Sequence, residues 1–262
     1  MDDIINQISE TFPLETATPL HSIRRVQRVR HELKRRDVQV VRVETLSPHV
    51  RSVTFGGESL ADFVSASFDD HVKLMLDLGG AEPVRRDYTP RRFDPVAREL
   101  TIEFALHGDG PAARWAEQAA PGQGVTIGGP RGSFVIPLDG DWHLLVGDET
   151  ALPAIARRLE ELPAGARVTA IVQVADPADR RQLATDADLD LDWVSDDAAL
   201  LEAVRQLTLP PGEGYAWCAG EARTAAELRR ILVQDKGHSP GAIRAAAYWK
   251  HGAAAHHENL EA

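Results

Sequence analysis

At 262 residues, with 43% hydrophobic and 26% charged residues, the chain has the length and make-up of a soluble globular protein of two ordinary domains. Its formal net charge of −11 argues against a general nucleic-acid binder, and its one cysteine, Cys218, excludes both an intramolecular disulfide and a cysteine-rich zinc or iron–sulfur site. No run of about 20 apolar residues is present, so no membrane-spanning helix is expected. Met1–Glu10 is acidic and polar rather than signal-like, which points to the cytoplasm, with a monomer as the default state.

Residues 1–37 read as an irregular or helical N-terminal arm. Within it Arg24–Arg36 is strongly basic, either a solvated face or an attraction for an anionic ligand. From Val38 the texture becomes strand-like. Val38–Thr45 and Val50–Phe55 alternate apolar and polar residues, and Gly56-Gly57 closes the second with a turn. His71–Leu78, Glu99–Leu106, Gly124–Pro130 and Gly132–Pro137 bring the count to six, interrupted by one helix from Pro111 to Ala120. This predicts a six-stranded antiparallel β-barrel over residues 38–139. Beyond it, strands at Trp142–Gly147, Val168–Val174, Leu191–Val194 and Tyr215–Gly220 alternate with helices at 151–162, 198–206 and 224–233. That alternation predicts an α/β parallel-sheet nucleotide-binding domain over residues 140–262. His256-His257 read as a surface tail.

A barrel followed by such an α/β domain is the layout of the ferredoxin–NADP reductase-like flavoenzymes, although fold alone does not give function. Arg86-Asp87-Tyr88-Thr89-Pro90-Arg91 resembles the Arg-x-Tyr-Ser/Thr flavin motif of that superfamily. A guanidinium offers a rigid fork of donors to a pyrophosphate. In extended chain, Tyr88 falls on the same side as Arg86 and can cover a flavin ring. Thr89 can hydrogen-bond flavin N5 through its hydroxyl or backbone N–H. The bland alternative is a turn with a surface ion pair.

Glu103-Phe104-Ala105-Leu106-His107 runs through a glycine turn into Gly110-Pro111-Ala112-Ala113-Arg114-Trp115. A helix start of small residues lets a diphosphate approach bare N–H groups. His107 is a candidate for contact with the flavin or adenosine, or a strand-end histidine satisfied by backbone.

Six blocks in order extend the likeness: Phe68–Leu74, Arg86–Arg91, His107–Ala116, Gly128–Ser133, Gly147–Ile155 and Arg244–Lys250. Together they resemble the siderophore-interacting protein family over about Val38 to Gly252. The resemblance implies a cytoplasmic FAD-containing ferric-siderophore reductase drawing electrons from NADPH or NADH. Ferredoxin stays open as an alternative donor. It implies that Arg86, Asp87, Tyr88, Thr89, Glu103, Phe104, Ala105, His107, Gly110, Pro111, Ala112, Trp115 and Thr150 hold the cofactor. It also implies basic side chains around the flavin that hold the ferric siderophore, matched here by Lys73 and Arg244, with Lys250 and Trp249 as further candidates. The iron would arrive saturated by siderophore oxygens, so no protein metal ligands are required, and no catalytic acid–base pair is needed.

The donor side leaves alternatives open. Gly147-Asp148-Glu149-Thr150 follows a strand and opens a helix, where a dinucleotide phosphate would sit, yet its carboxylates would repel phosphate unless they point away. Asp176 could bond ribose hydroxyls, whereas Arg180 or Arg181 could pair with a 2′-phosphate. Cys218 matches inexactly a cysteine turn facing nicotinamide, and equally suits a buried core. Two rival readings are a general flavin reductase with another acceptor and a siderophore-binding carrier without turnover.

Overall fold

The computed structural model describes residues 26–106, 110–253 and 258–260. Its first half is an antiparallel sheet of seven strands: β2 (Arg35–Ser47), β3 (Val50–Gly56), β4 (Val72–Leu76), β5 (Val84–Tyr88), β6 (Arg92–Asp94), β7 (Glu99–Ala105) and β8 (Gly124–Gly128). Their order is β5-β4-β8-β2-β3-β7-β6, so β5 and β6 are edges and the sheet curls without closing into a ring. The long strand β2 makes the curl: Arg35–Gln39 pairs with β8, and the rest pairs with β3 through two register shifts. Alternation along β2 buries Arg36, Val38 and Val40, placing the apolar side chains inward. Phe55, Leu74, Ile102 and Phe104 have no exposed surface in this core, and each contributes about 1.5–3 kcal/mol by leaving water.

The predicted sixth strand lies elsewhere. β9 (Gly132–Val135) leaves the sheet and pairs antiparallel with β1 (Gln27–Arg30). The end of the basic arm is therefore a strand rather than irregular or helical. Its residues 1–25 lie outside the described residues. Helix α1 (Pro111–Glu117) lies against the curled sheet, burying Ala112 and Ala116 while Trp115 stacks on Phe55 at 6.1 Å.

The second half is a sheet ordered β12-β11-β10-β13-β14-β15. Strands β10 (Trp142–Gly147), β11 (Arg167–Gln173), β12 (Asp188–Val194), β13 (Gly214–Glu221) and β14 (Ile243–Trp249) are parallel, and β15 (Glu258–Asn259) is antiparallel. Helices α2 (Leu152–Glu161), α3 (Asp197–Gln206) and α4 (Ala222–Arg230) connect them, whereas only a single turn at Pro177–Asp179 lies between β11 and β12. The sequence pattern missed β14 because Ala245, Ala246 and Ala247 carry little apolar signal. Strand order reverses between β10 and β13, and ligands of such sheets bind beyond the carboxyl ends at that point. At the end of β10, a Cβ on Gly147 would lie 2.5 Å from that of Ala151 and 2.6 Å from the Ala219 carbonyl, so glycine alone permits this approach.

The halves are joined through residues 65–70. Phe68 enters the core of the α/β half, beneath the Arg158 guanidinium at 5.0 Å. Asp69 accepts from Trp217 Nε1 at 3.0 Å, and Asp70 accepts from Ser133 at 2.7 Å. No helix among the described residues is long and apolar enough to cross a membrane.

Candidate functional site

A cavity opens where the end of β5 faces the carboxyl ends of β10 and β14. Arg86, Asp87, Tyr88, Thr89 and Ala105 line it from the curled sheet, and Thr150 and Trp249 from the α/β half. These seven were expected at the site. His71, Glu149, Pro153 and Tyr248 complete the wall.

Each wall residue is held by its surroundings. Arg86 bonds the Arg85 carbonyl at 2.8 Å, and no described carboxylate pairs with it, so its positive charge is available to an anion. Tyr88 packs on Phe104 at 4.4 Å, which fixes its ring plane. Burial pushes the phenol pKa of Tyr88 upward, so it stays neutral. Behind Thr89, Arg157 bonds the Pro90 carbonyl at 2.8 Å and Ser65 Oγ at 2.8 Å, pinning the turn after β5. An unpaired guanidinium, a fixed tyrosine ring and a buried threonine around one cleft fit a flavin dinucleotide: a cation for the diphosphate and a flat wall for the ring.

Several expected cofactor residues play other parts. Phe104 is wholly buried in the core, and Ala112 is buried there also. Trp115 packs between Phe55 and Phe104. Glu103 is consumed by an ionic network: Arg91 Nε reaches it at 3.2 Å and Arg181 pairs with it as well. Arg91 also grips Glu160 by a two-pronged bond of 2.6 and 2.9 Å, so the last residue of the flavin-like motif clamps the two halves together. Gly110 precedes α1 with no side-chain cap and Pro111 follows it, leaving the start of a seven-residue helix bare. His107 lies outside the described residues.

Beside this cavity, and sharing His71 and Asp87 with it, is a second one of about 390 Å³. Lys73, Arg35, Arg85 and Arg131 line it. Lys73 is balanced by Asp87 at 2.7 Å, and Arg85 approaches Glu82 at 3.6 Å. Arg35 and Arg131 meet no carboxylate among the described residues. Charge alone could have flagged Arg131 within the Gly128–Ser133 block, but Arg35 and Arg85 arrive from strands β2 and β5 with no shared spacing.

Arg244 does not join Lys73. Its guanidinium is ion-paired to buried Asp69 and lies over the Phe134 ring at 4.2 Å, on the far side of the seam in a cleft with Arg28 and Tyr215. It is a structural cation, because its charge neutralises a carboxylate that is 1% exposed. Lys250 is exposed beyond β14 and lines neither cavity. Trp249 does reach the site, where its Nε1 donates to Asp148 at 2.7 Å.

Asp148 points inward, away from any phosphate. It accepts from Thr150 N at 2.9 Å, Thr150 Oγ at 2.5 Å and Glu221 N at 3.1 Å, tying β10 to β13 and β14. Burial raises its pKa. Glu149 turns instead to the cavity, and burial together with the neighbouring charge of Asp148 brings its carboxyl up to about 7. Cys218 faces the apolar core among Leu144 and Val146, and burial pushes its thiol up to about 12, so it contacts no nicotinamide site. Asp176 caps the turn at Ala178 N (2.8 Å), and Arg181 is engaged with Glu103, leaving exposed Arg180 as the cation available near the end of β11. The described residues hold no cluster of metal ligands.

Comparison with known proteins gives the following. The family model described as "Siderophore-interacting FAD-binding domain" matches residues 39–84 and 77–134, and that described as "Siderophore-interacting protein" matches residues 140–252. The NADPH-dependent ferric-chelate reductase of Escherichia coli K12 is 37% identical over 245 residues, which cover 85% of this chain and 96% of that protein. The ferric vibriobactin reductase of Vibrio cholerae is 30% identical over 238 residues, covering 81% and 88%. A crystal structure of a siderophore utilization protein from T. fusca superposes with a TM-score of 0.81 at 35% identity, covering 87% of this chain and 97% of that one.

Proposed function

The chain belongs to the siderophore-interacting protein family, and from that premise we propose that it is an FAD-dependent ferric-siderophore reductase supplied by NADPH. The observation that carries this reading is the pair of adjoining cavities: a cleft suited to a flavin opens beside a pocket of four cationic side chains, with His71 and Asp87 common to both. An electron can cross such a shared wall without either ligand leaving.

In this reading residues 38–139 hold FAD and residues 140–262 receive the nicotinamide. Arg86 takes the diphosphate, and Tyr88 covers one face of the ring. Thr89 reaches the reacting edge, while Thr150, Tyr248 and Trp249 close the cleft from the other half. Bound there, FAD supplies two-electron acceptance from a nicotinamide and one-electron delivery to a ferric centre. Lys73, Arg35, Arg85 and Arg131 draw in an anionic iron chelate despite the acidic surface elsewhere. The iron needs no protein ligand, since the chelator's oxygens already surround it. Fe(II) is held far more weakly by those hard oxygens, so reduction frees it. Arg180 is the residue best placed to meet the 2′-phosphate that distinguishes NADPH from NADH. We take the protein to work as a cytoplasmic monomer, with NADPH rather than ferredoxin as its direct donor.

The test is a single anaerobic mixing experiment. The purified protein is expected to be yellow, and NADPH to bleach it faster than NADH does. Protein that stays oxidised with both donors but still binds the ferric chelate is a carrier, and the reductase reading fails.

A further inference from the structure

Oxidising a two-electron-reduced flavin by two ferric centres leaves one proton to be disposed of. The reduced anion carries one hydrogen on N5. When two electrons leave, one to each Fe(III), that hydrogen departs as H⁺, so the balance is FADH⁻ + 2 Fe(III) → FAD + H⁺ + 2 Fe(II). Hydride arrival from the nicotinamide needs no such acceptor. On the reductase reading above, a proton is therefore released on the iron-reducing half of the cycle alone, and a base beside the cofactor would speed its departure.

We infer that the Glu149 carboxylate is the catalytic base that receives this proton from the cofactor's N5 edge and passes it to solvent at the cavity mouth. The inference rests on the reductase reading and concerns a residue that reading leaves without a role.

The cavity wall supports it by elimination among the described residues. Asp87 is committed to Lys73 at 2.7 and 2.9 Å. Tyr88 and Tyr248 have phenols pushed upward by burial, so neither releases or gains a proton near neutrality. Arg86 is a guanidinium with donors only and no site to accept a proton. Thr89 and Thr150 can relay a proton but cannot keep one. Glu149 and His71 are the two wall residues chemically able to hold a proton at neutral pH. His71 sits on the wall shared with the cationic pocket, on the ferric-chelate side of the cleft beside Lys73, Arg35, Arg85 and Arg131. Glu149 has the opposite surroundings. The neighbouring charge of Asp148 and, to a smaller extent, those of Asp179 and Asp197 disfavour its charged form. With burial, they bring its carboxyl up to about 7, matched to a general base working near neutral pH. Its backbone position is fixed by the Asp148–Thr150 bonds at the start of α2, so the carboxylate is carried on a rigid part of the site.

The sign is set by the base role. The group must be deprotonated to act, so the iron-reducing step accelerates as pH rises through about 7 and levels off above it.

The test uses the FAD-loaded protein in three forms: wild type, Glu149→Gln and Glu149→Asp. Visible absorbance of the oxidised protein is titrated from acid to alkaline pH, a readout that needs no turnover. Protein reduced anaerobically by light is then mixed with ferric–EDTA at each pH. Wild type is expected to titrate spectrally near 7 and to reoxidise with a matching limb. Glu149→Gln loses both and, above neutrality, reoxidises slower by on the order of 10²-fold, the range of general-base assistance. Glu149→Asp restores a limb at a displaced midpoint, which a merely structural defect would not do. A Glu149→Gln protein that keeps the spectral titration and the limb overturns the inference, as does a wild-type rate that is flat with pH. If ferric–EDTA and ferric siderophores reoxidise none of the three forms, the reductase reading itself has failed, a result distinct from a flat profile.

Discussion

Arg244→Ala separates a structural arginine from a substrate-binding one. In the structure Arg244 is 11% and Asp69 1% exposed at the side chain, so removing the guanidinium strands a buried carboxylate. Breaking a buried pair from one side costs about 3–5 kcal/mol. Trp217 Nε1 at 3.0 Å still donates to Asp69, which favours the low end, while loss of the contact over Phe134 at 4.2 Å adds to the cost. We take about 3 kcal/mol. For a protein of this length each kcal/mol lowers Tm by roughly 2–4 °C, so the expected fall is roughly 6–12 °C. The assay is thermal unfolding with FAD held at one saturating concentration, because ligand binding itself shifts Tm. The double variant Asp69→Asn with Arg244→Met removes both charges and should recover a good part of the loss, with a coupling energy of about 0.5–3 kcal/mol. An Arg244→Ala protein of wild-type Tm that binds ferric chelates poorly would refute the reasoning and return Arg244 to the substrate pocket.

The remaining predictions concern the two cavities and the pair His49–Asp179. Lys73→Ala combined with Arg131→Ala weakens ferric-chelate binding and flattens its salt dependence while FAD stays bound; spectral titration at two ionic strengths reads both. Arg86→Ala removes a charge-assisted contact of about 1.5–3 kcal/mol, so FAD affinity falls roughly 10–150-fold and the variant loses colour on gel filtration. His49 bonds Asp179 at 2.9 Å, and that bond raises the imidazole pKa above its ordinary value. The contact therefore stabilises fully below about pH 6.5 and is lost as pH rises through the raised value; NMR titration should give a high His49 pKa that Asp179→Asn returns toward normal.

How much of this was legible in the sequence follows from what is local. Arg86 and Tyr88 are two residues apart in a strand, and a period of two puts them on one wall. Their place at the site could thus be read from spacing, as could the glycine-led end of β10. Non-local pairing could not. Gly132–Val135 reads as a strand, but nothing in it says that its partner is Gln27–Arg30 rather than the main sheet. The two edge strands β5 and β6 are short, and their polar residues concealed them. Arg244 looked available because its partner Asp69 lies 175 positions earlier in the chain. Glu103 failed for the same reason, its charge being taken by Arg91 and Arg181. Asp148 and Glu149 were legible as a conflict with phosphate. Both lie in the turn just after β10, where Asp148 ties the sheet together and Glu149 meets the cavity.

The central claim is that the two adjoining cavities pass electrons from bound FAD to chelated iron. Its most direct test is to reduce the protein with one equivalent of NADPH without oxygen, then mix it with a ferric siderophore and a ferrous-specific chromogenic chelator. The account predicts that the yellow colour returns as the ferrous complex forms, with two ferrous ions for each flavin reoxidised. Bleached protein that stays bleached in the presence of bound ferric siderophore would contradict it.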